Sequence, residues 1–209
     1  MFSFKRLKIM KLNIFKCFMC SCALLYTIHL WTPSAYATMI AYKTDRELFQ
    51  ESDLVVLGRV LRQQTLWIND FLYTEYELEI TESIKGHKPA GSYVIVRSLG
   101  GEDPNTHLFE DVAGSPHPKV DDDHILFLKK NRDTSAYMVH SMALGHFDIQ
   151  YDIHTKRYFA HRATDTLVFI KTSITRDEQD SSIIVPPFTH LSVLMNQLRS
   201  YAQSDIQQR

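Results

Sequence analysis

A mainly β fold is predicted: a small antiparallel OB-like barrel with a short N-terminal helix, a C-terminal hairpin and a C-terminal amphipathic helix. Three features predict it. Short apolar or alternating runs recur through the middle of the chain, glycines interrupt those runs from within, and helical spacing is confined to the two flanks.

The elements follow in order. Asp45 to Ser52 begins after Thr44, a candidate N-cap, and carries Leu48 and Phe49 on one side, which predicts a short helix. "DLVVLGRVL" is too short and too β-branched for a helix, so it predicts a strand buried on both faces, with Gly58 marking a bend or bulge. After a polar gap, "YTEYELEITESI" alternates, with Glu75, Glu77 and Glu79 on one face and Tyr76, Leu78 and Ile80 on the other. The glutamates read as a hydrated, solubilising face, and the other face as core. "IKGHKPAG" is a turn and "SYVIVRS" the next strand. "LGGEDPN" breaks the chain, "THLFEDV" predicts a short strand, and "AGSPHPKVDDD" breaks it again before the central strand "HILFL". "AYMVHSMALGHFDIQYD" reads as extended chain kinked at Gly145, "FDIQYDIHTKRYFAHR" as a hairpin turning near His154 to Lys156, and "TLVFI" as one more strand. Beyond a polar stretch from Thr172 to Ser182, Leu191, Leu194, Met195 and Leu198 recur at helical spacing.

The start of the chain has a different composition. Lys5, Arg6, Lys8, Lys11 and Lys16 precede an apolar run from Cys17 to Trp31, and Ala35, Tyr36 and Ala37 supply small residues around a cut after Ala37. That order predicts a signal peptide over 1–37 and a single domain over 38–209, periplasmic or secreted. The apolar run is shorter than the ~20 residues of a spanning helix, so no stable membrane span is expected after cleavage. Cys17, Cys20 and Cys22 all fall in the leader, and the exported domain is expected to hold no disulfide. Cleavage leaves 18 basic against 24 acidic residues, a net charge of −6 with histidine neutral, which supplies no basic face for nucleic acid.

"SDLVVLGRV" from Ser52 to Val60, Lys85 and Gly86, Gly100 and Gly101, Gly114 and Pro116, and the run Ile125 to Leu128 form a further pattern. In this order they resemble the netrin-like domain, an OB-fold barrel shared with tissue inhibitors of metalloproteinases, and exported bacterial proteins of the same type. The resemblance implies a barrel scaffold, and structure rather than ligation at His117, Asp122 and Asp123. It does not carry the inhibitory chemistry, which needs an N-terminal cysteine where this chain has Thr38, Met39 and Ile40.

The candidate sites are few. His117, Asp121, Asp122, Asp123 and His124 gather imidazole and carboxylate donors that suit zinc. Adjacent Asp123 and His124 point to opposite faces of a strand, and aspartates ahead of a buried strand are ordinary turn chemistry. These residues therefore read as turn and strand entry. His140 and His146 share a face of extended chain if Gly145 adds no bulge, either as a copper or zinc patch or as solvated strand histidines, and His154 and His161 flank the hairpin turn. Trp67, Phe71 and Tyr73 cluster where the first two strands meet, either to stack on a ligand or to cap the core. The segment from Leu99 to Asp123 is long and holds Pro104, Pro116 and Pro118. Its Glu102, Asp103, Glu110 and Asp111, with Phe109 as an aromatic anchor, suit a basic partner, unless Phe109 belongs to a barrel strand. No H-E-x-x-H, G-x-S-x-G or Gly-rich phosphate loop is present. The expectation is a non-enzymatic exported module, without cofactor, that binds an unidentified protein or envelope ligand through its loops. The alternative is a metal-dependent or hydrolytic periplasmic enzyme that draws on the histidines.

Overall fold

One long hairpin organises the sheet. In the computed structural model, which describes residues 38–131, 134–162, 164, 167–170 and 188–207, β2 (Leu54–Ile68) and β3 (Phe71–Lys85) run antiparallel. The two-residue turn between them holds Asn69 and Asp70 at φ 48° and 66°, the left-handed pairing whose twist matches that of the flanking strands. The polar gap expected after Leu61 is therefore strand. Arg62, Gln63 and Gln64 stay in the ladder opposite Glu77, Tyr76 and Glu75. The predicted leader over 1–37 and the polar stretch from Thr172 to Ser182 lie outside the described residues.

β3 alternates as its sequence requires: Tyr76, Leu78 and Ile80 are buried, while the glutamates between them lie on the other face. That face is less wet than expected, because Glu75 and Glu77 are claimed by cross-strand Arg97 and Arg62. At Gly58 the register between β2 and β3 shifts, and a Cβ there would lie 2.5 Å from the Glu79 carbonyl oxygen, so the close approach needs glycine.

β4 (Tyr93–Leu99) adds to β3, and β7 (Asp123–Lys130) adds to β2. β8 (Tyr137–Val139) pairs parallel with β4 and antiparallel with β7, so the pairings run β7–β2–β3–β4–β8 and return to β7. From β7 the sheet also extends outward through β9 (His146–Asp152), β10 (Arg157–His161) and β12 (Phe188–His190). The predicted hairpin joins β9 to β10. Two short pairs stand apart: β5 (Gly101–Glu102) with β6 (Phe109–Glu110), and β1 (Thr38–Ala41) parallel to β11 (Leu167–Ile170).

The helices cover one side of this sheet. α1 (Asp45–Glu51) opens with a capping box in which Thr44 and Glu47 satisfy each other's backbone N–H groups. α2 (Leu191–Gln207) buries Leu194, Met195 and Leu198. Strand β7 divides two cores: Ile125 and Phe127 pack with α1 and α2, while Leu126 and Leu128 pack with Tyr76, Leu78 and Val96 inside the circuit of strands. No helix among the described residues is long and apolar enough to cross a membrane.

Candidate metal centre

Strand register builds the site. β7 and β9 pair with His124 opposite Asp148 and Leu126 opposite His146, and β9 and β10 pair with Asp148 opposite His161. Directly paired residues project to one face, and His146, two residues before Asp148, shares it. A single aspartate is thus flanked by imidazoles from three adjacent strands. The face is the inner one, since His124 alternates with Leu126 and Leu128 while Phe147 packs against Phe127 on the helix side.

Two local features fix β9 in place. It starts at His146 because the chain has just passed through a 3-10 turn, Met142–Gly145, entered with Ser141 and Met142 at φ 57° and 55°. A Cβ at Gly145 would sit 2.1 Å from the His140 carbonyl oxygen, so glycine is what lets the chain leave β8 and re-enter as β9. On the opposite face the Arg162 guanidinium lies 3.9 Å from the Phe147 ring centre and donates to Asp45 Oδ1 at 2.7 Å, tying α1 and the end of β10 to the strand that carries the site.

The donor atoms form a small triangle. His124 Nδ1 is 3.0 Å and His146 Nε2 3.1 Å from Asp148 Oδ1, and the two nitrogens are 3.1 Å apart. His124 is fully buried and His146 is 5 % exposed, while the Asp148 side chain keeps 26 % of its surface. The Lys119 carbonyl only accepts, so His124 Nε2, 3.0 Å away, must donate to it. That leaves His124 Nδ1 as the ring nitrogen turned toward Asp148 Oδ1. Burial pushes the His146 pKa down, against the opposing pull of Asp148. Burial alone would raise the Asp148 carboxyl, but hydrogen bonding to the two rings outweighs it and holds the group well below the usual carboxylate range. Three possible ligand atoms thus face one another across edges of 3.0–3.1 Å.

A divalent cation over the triangle would engage all three atoms at once. Bonds of about 2.0–2.1 Å place ligand atoms about 3.4 Å apart at tetrahedral angles and about 2.9 Å apart at octahedral ones. The observed 3.0–3.1 Å edges fall between the two. Two imidazoles and a carboxylate suit zinc or a neighbouring late first-row ion better than magnesium or calcium, which take oxygen. The His124–Lys119 hydrogen bond is the kind of outer contact that fixes the tautomer of a ligating histidine. Among the described residues no other group of His, Cys, Asp and Glu gathers three donors this closely.

The remaining sequence candidates lie elsewhere. His117 is exposed in the loop, 3.9 Å from Asp111 and apart from His124, which is buried on β7. Asp121 occupies a turn at φ 69°, and Asp123 points away from His124 to a two-point pairing with Arg59 at 2.9 and 3.0 Å. His140 and His146 do not form a patch: His140 Nε2 contacts Glu51 at 3.0 Å and Lys43 at 3.4 Å. Asp103 is buried and receives Trp67 Nε1, the Asn105 N–H and Thr106 Oγ1 at 3.0, 2.9 and 2.7 Å, so its oxygens serve the loop. Phe71 and Phe109 are exposed, Glu110 lies beside Phe109 on β6, and Tyr73 stacks under Arg97. A cavity of about 960 Å³ opens among Glu102, Phe109, His117 and Lys119, with Thr74 and Tyr76 at its wall.

Asp148 was not among the residues the sequence singled out. The local signal was present, since His146-Phe147-Asp148 on an extended segment puts an imidazole and a carboxylate on one face. What was missing was the register that adds His124 and His161. No family model matches the chain, and no curated protein matches it.

Proposed function

We propose that this protein binds a divalent late first-row transition-metal ion through His124, His146 and Asp148. The single observation that carries the reading is the triangle of two imidazole nitrogens and a carboxylate oxygen 3.0–3.1 Å apart, with both rings buried. The return of the strand pairings to β7 through a parallel β4–β8 pair supports the OB-like barrel that the netrin-like resemblance implies. The basic and apolar order of residues before Ala37 supports export, which would place the ion outside the cytoplasm.

Metal analysis and calorimetric titration of the chain from Thr38 onward test this. One zinc per chain is expected, lost in Asp148→Ala and in His124→Ala and retained in His117→Ala and His140→Ala. Absence of stoichiometric metal in the wild type, or its survival in Asp148→Ala, overturns the reading. A second reading, a loop-borne protein-binding module, is favoured by the cavity beside Phe109, which is 69 % exposed. The two are compatible, because Lys119 lines that cavity and its carbonyl holds His124.

A further inference from the structure

We infer that His161 is the fourth protein ligand, which makes the site a closed one of three imidazoles and one carboxylate, suited to holding zinc rather than presenting it to a substrate. The inference rests on the metal-binding reading above and assigns its coordination. His161 stands directly across from Asp148 on β10, as His124 does on β7. Its Nδ1 is 4.0 Å from Asp148 Oδ2, whereas the triangle is built on Oδ1, so the imidazole flanks the carboxylate from the side that the other two leave free.

That nitrogen is buried and has no hydrogen-bond partner among the described residues. A buried ring nitrogen left unpaired is destabilising and calls for an explanation, and a metal bond supplies one. The ring is stacked on Phe188, with centres 4.5 Å apart and planes 30° apart, and Phe188 is itself the cross-strand neighbour of His161 on β12. The stack keeps the ring on the metal side of the sheet, and since its nitrogens lie outside the 4.8 Å cluster of the other three donors, the ring must turn about its side-chain torsions to bind the ion. Four protein ligands complete the tetrahedron that zinc prefers in non-catalytic sites, whereas three would leave a position open for water or substrate. The closed count therefore favours a protein that stores, carries or is stabilised by its ion.

X-ray absorption on the zinc-loaded protein and visible spectra of its cobalt-substituted form read the coordination directly. Three imidazoles and an intense four-coordinate cobalt spectrum are expected in the wild type. In His161→Ala, and in His161→Phe, which keeps the aromatic stack, two imidazoles and a weak spectrum of higher coordination number are expected. Loss of a direct ligand should lower zinc affinity by more than about 100-fold, the upper end of what loss of an outer-shell contact costs. Two imidazoles in the wild type, or unchanged spectra in both variants, overturn His161 as a ligand while the three-residue site stands. No zinc bound to the wild type instead overturns the underlying reading. Circular dichroism of the metal-free variants confirms that each is folded.

Discussion

Two rows of side chains cross the same eight-stranded sheet, each with a carboxylate in the middle. In the first, Gln64, Glu75 and Arg97 lie across β2, β3 and β4. Arg97 Nε donates to Glu75 Oε1 at 3.0 Å with Nη2 beside it, and Gln64 Nε2 donates to Oε2 at 3.1 Å. In the second, His124, Asp148 and His161 lie across β7, β9 and β10. Arginine is always protonated and can only donate, so its row satisfies itself, whereas an imidazole nitrogen can also offer a lone pair to a cation. The same strand geometry thus gives a structural ion pair in one place and, in the other, the donor set proposed to hold a cation.

The strongest probe places a carboxylate on the inner face where no imidazole waits. Leu78→Asp should cost about 3–5 kcal/mol in urea unfolding, because the charge is buried without a partner. A cost under about 1 kcal/mol would show that this face tolerates bare carboxylates, and the contrast between the rows would disappear.

Next in size is the comparison of the rows themselves. Arg97→Ala should lose about 2–3 kcal/mol, since it strands a Glu75 side chain that is only 13 % exposed. In metal-free protein at neutral pH, Asp148→Ala should also lose stability, because, against burial, hydrogen bonding to the two rings depresses its carboxyl. The rows therefore differ in their response to zinc, which should raise the melting temperature of wild type and not of Asp148→Ala. The same response to zinc in wild type and Asp148→Ala would make the Asp148 row structural.

Asp103 extends the first pattern to a loop. Its hydrogen bonds from Trp67, Asn105 and Thr106 lower its pKa from 3.8 to about 2. A depressed carboxyl contributes stability that is present above its ordinary pKa and lost as pH falls through the folded value. Wild type should therefore exceed Asp103→Asn in melting temperature above about pH 4 and converge with it toward about pH 2. A gap that is constant across this range would disconnect the carboxylate from the loop. The smallest effect is expected at Phe109, which lies on β6 with most of its ring in solvent. Phe109→Ala should change stability by no more than about 0.5 kcal/mol, and a larger loss would make it a packing residue.

Much of the fold was legible because its signals are local. Alternation over Tyr73 to Ile84 assigns the two faces of β3, Thr44 with the following acidic turn starts α1, and the spacing of Leu191, Leu194 and Leu198 assigns the buried side of α2. The polar residues from Arg62 to Gln64 hid the far half of β2, since their strand character depends on partners in β3 that composition does not reveal. His117 and His124 drew attention as neighbours in a motif, yet beside its bond to the Lys119 carbonyl the ring of His124 meets His146 and Asp148, farther along the chain.

The sequence by itself therefore determined the kind of elements, their faces and the supply of imidazoles, because periodicity of two or 3.6 is a property of neighbouring residues. Only the tertiary structure decided which of those imidazoles meet. His124, His146, Asp148 and His161 converge through the pairing of β7, β9 and β10, and a slip of one residue in either pairing would turn its side chains to the opposite face. That register is set by the turn at Met142–Gly145 and by the β9–β10 hairpin acting together with the packed sheet, which no local stretch of sequence contains.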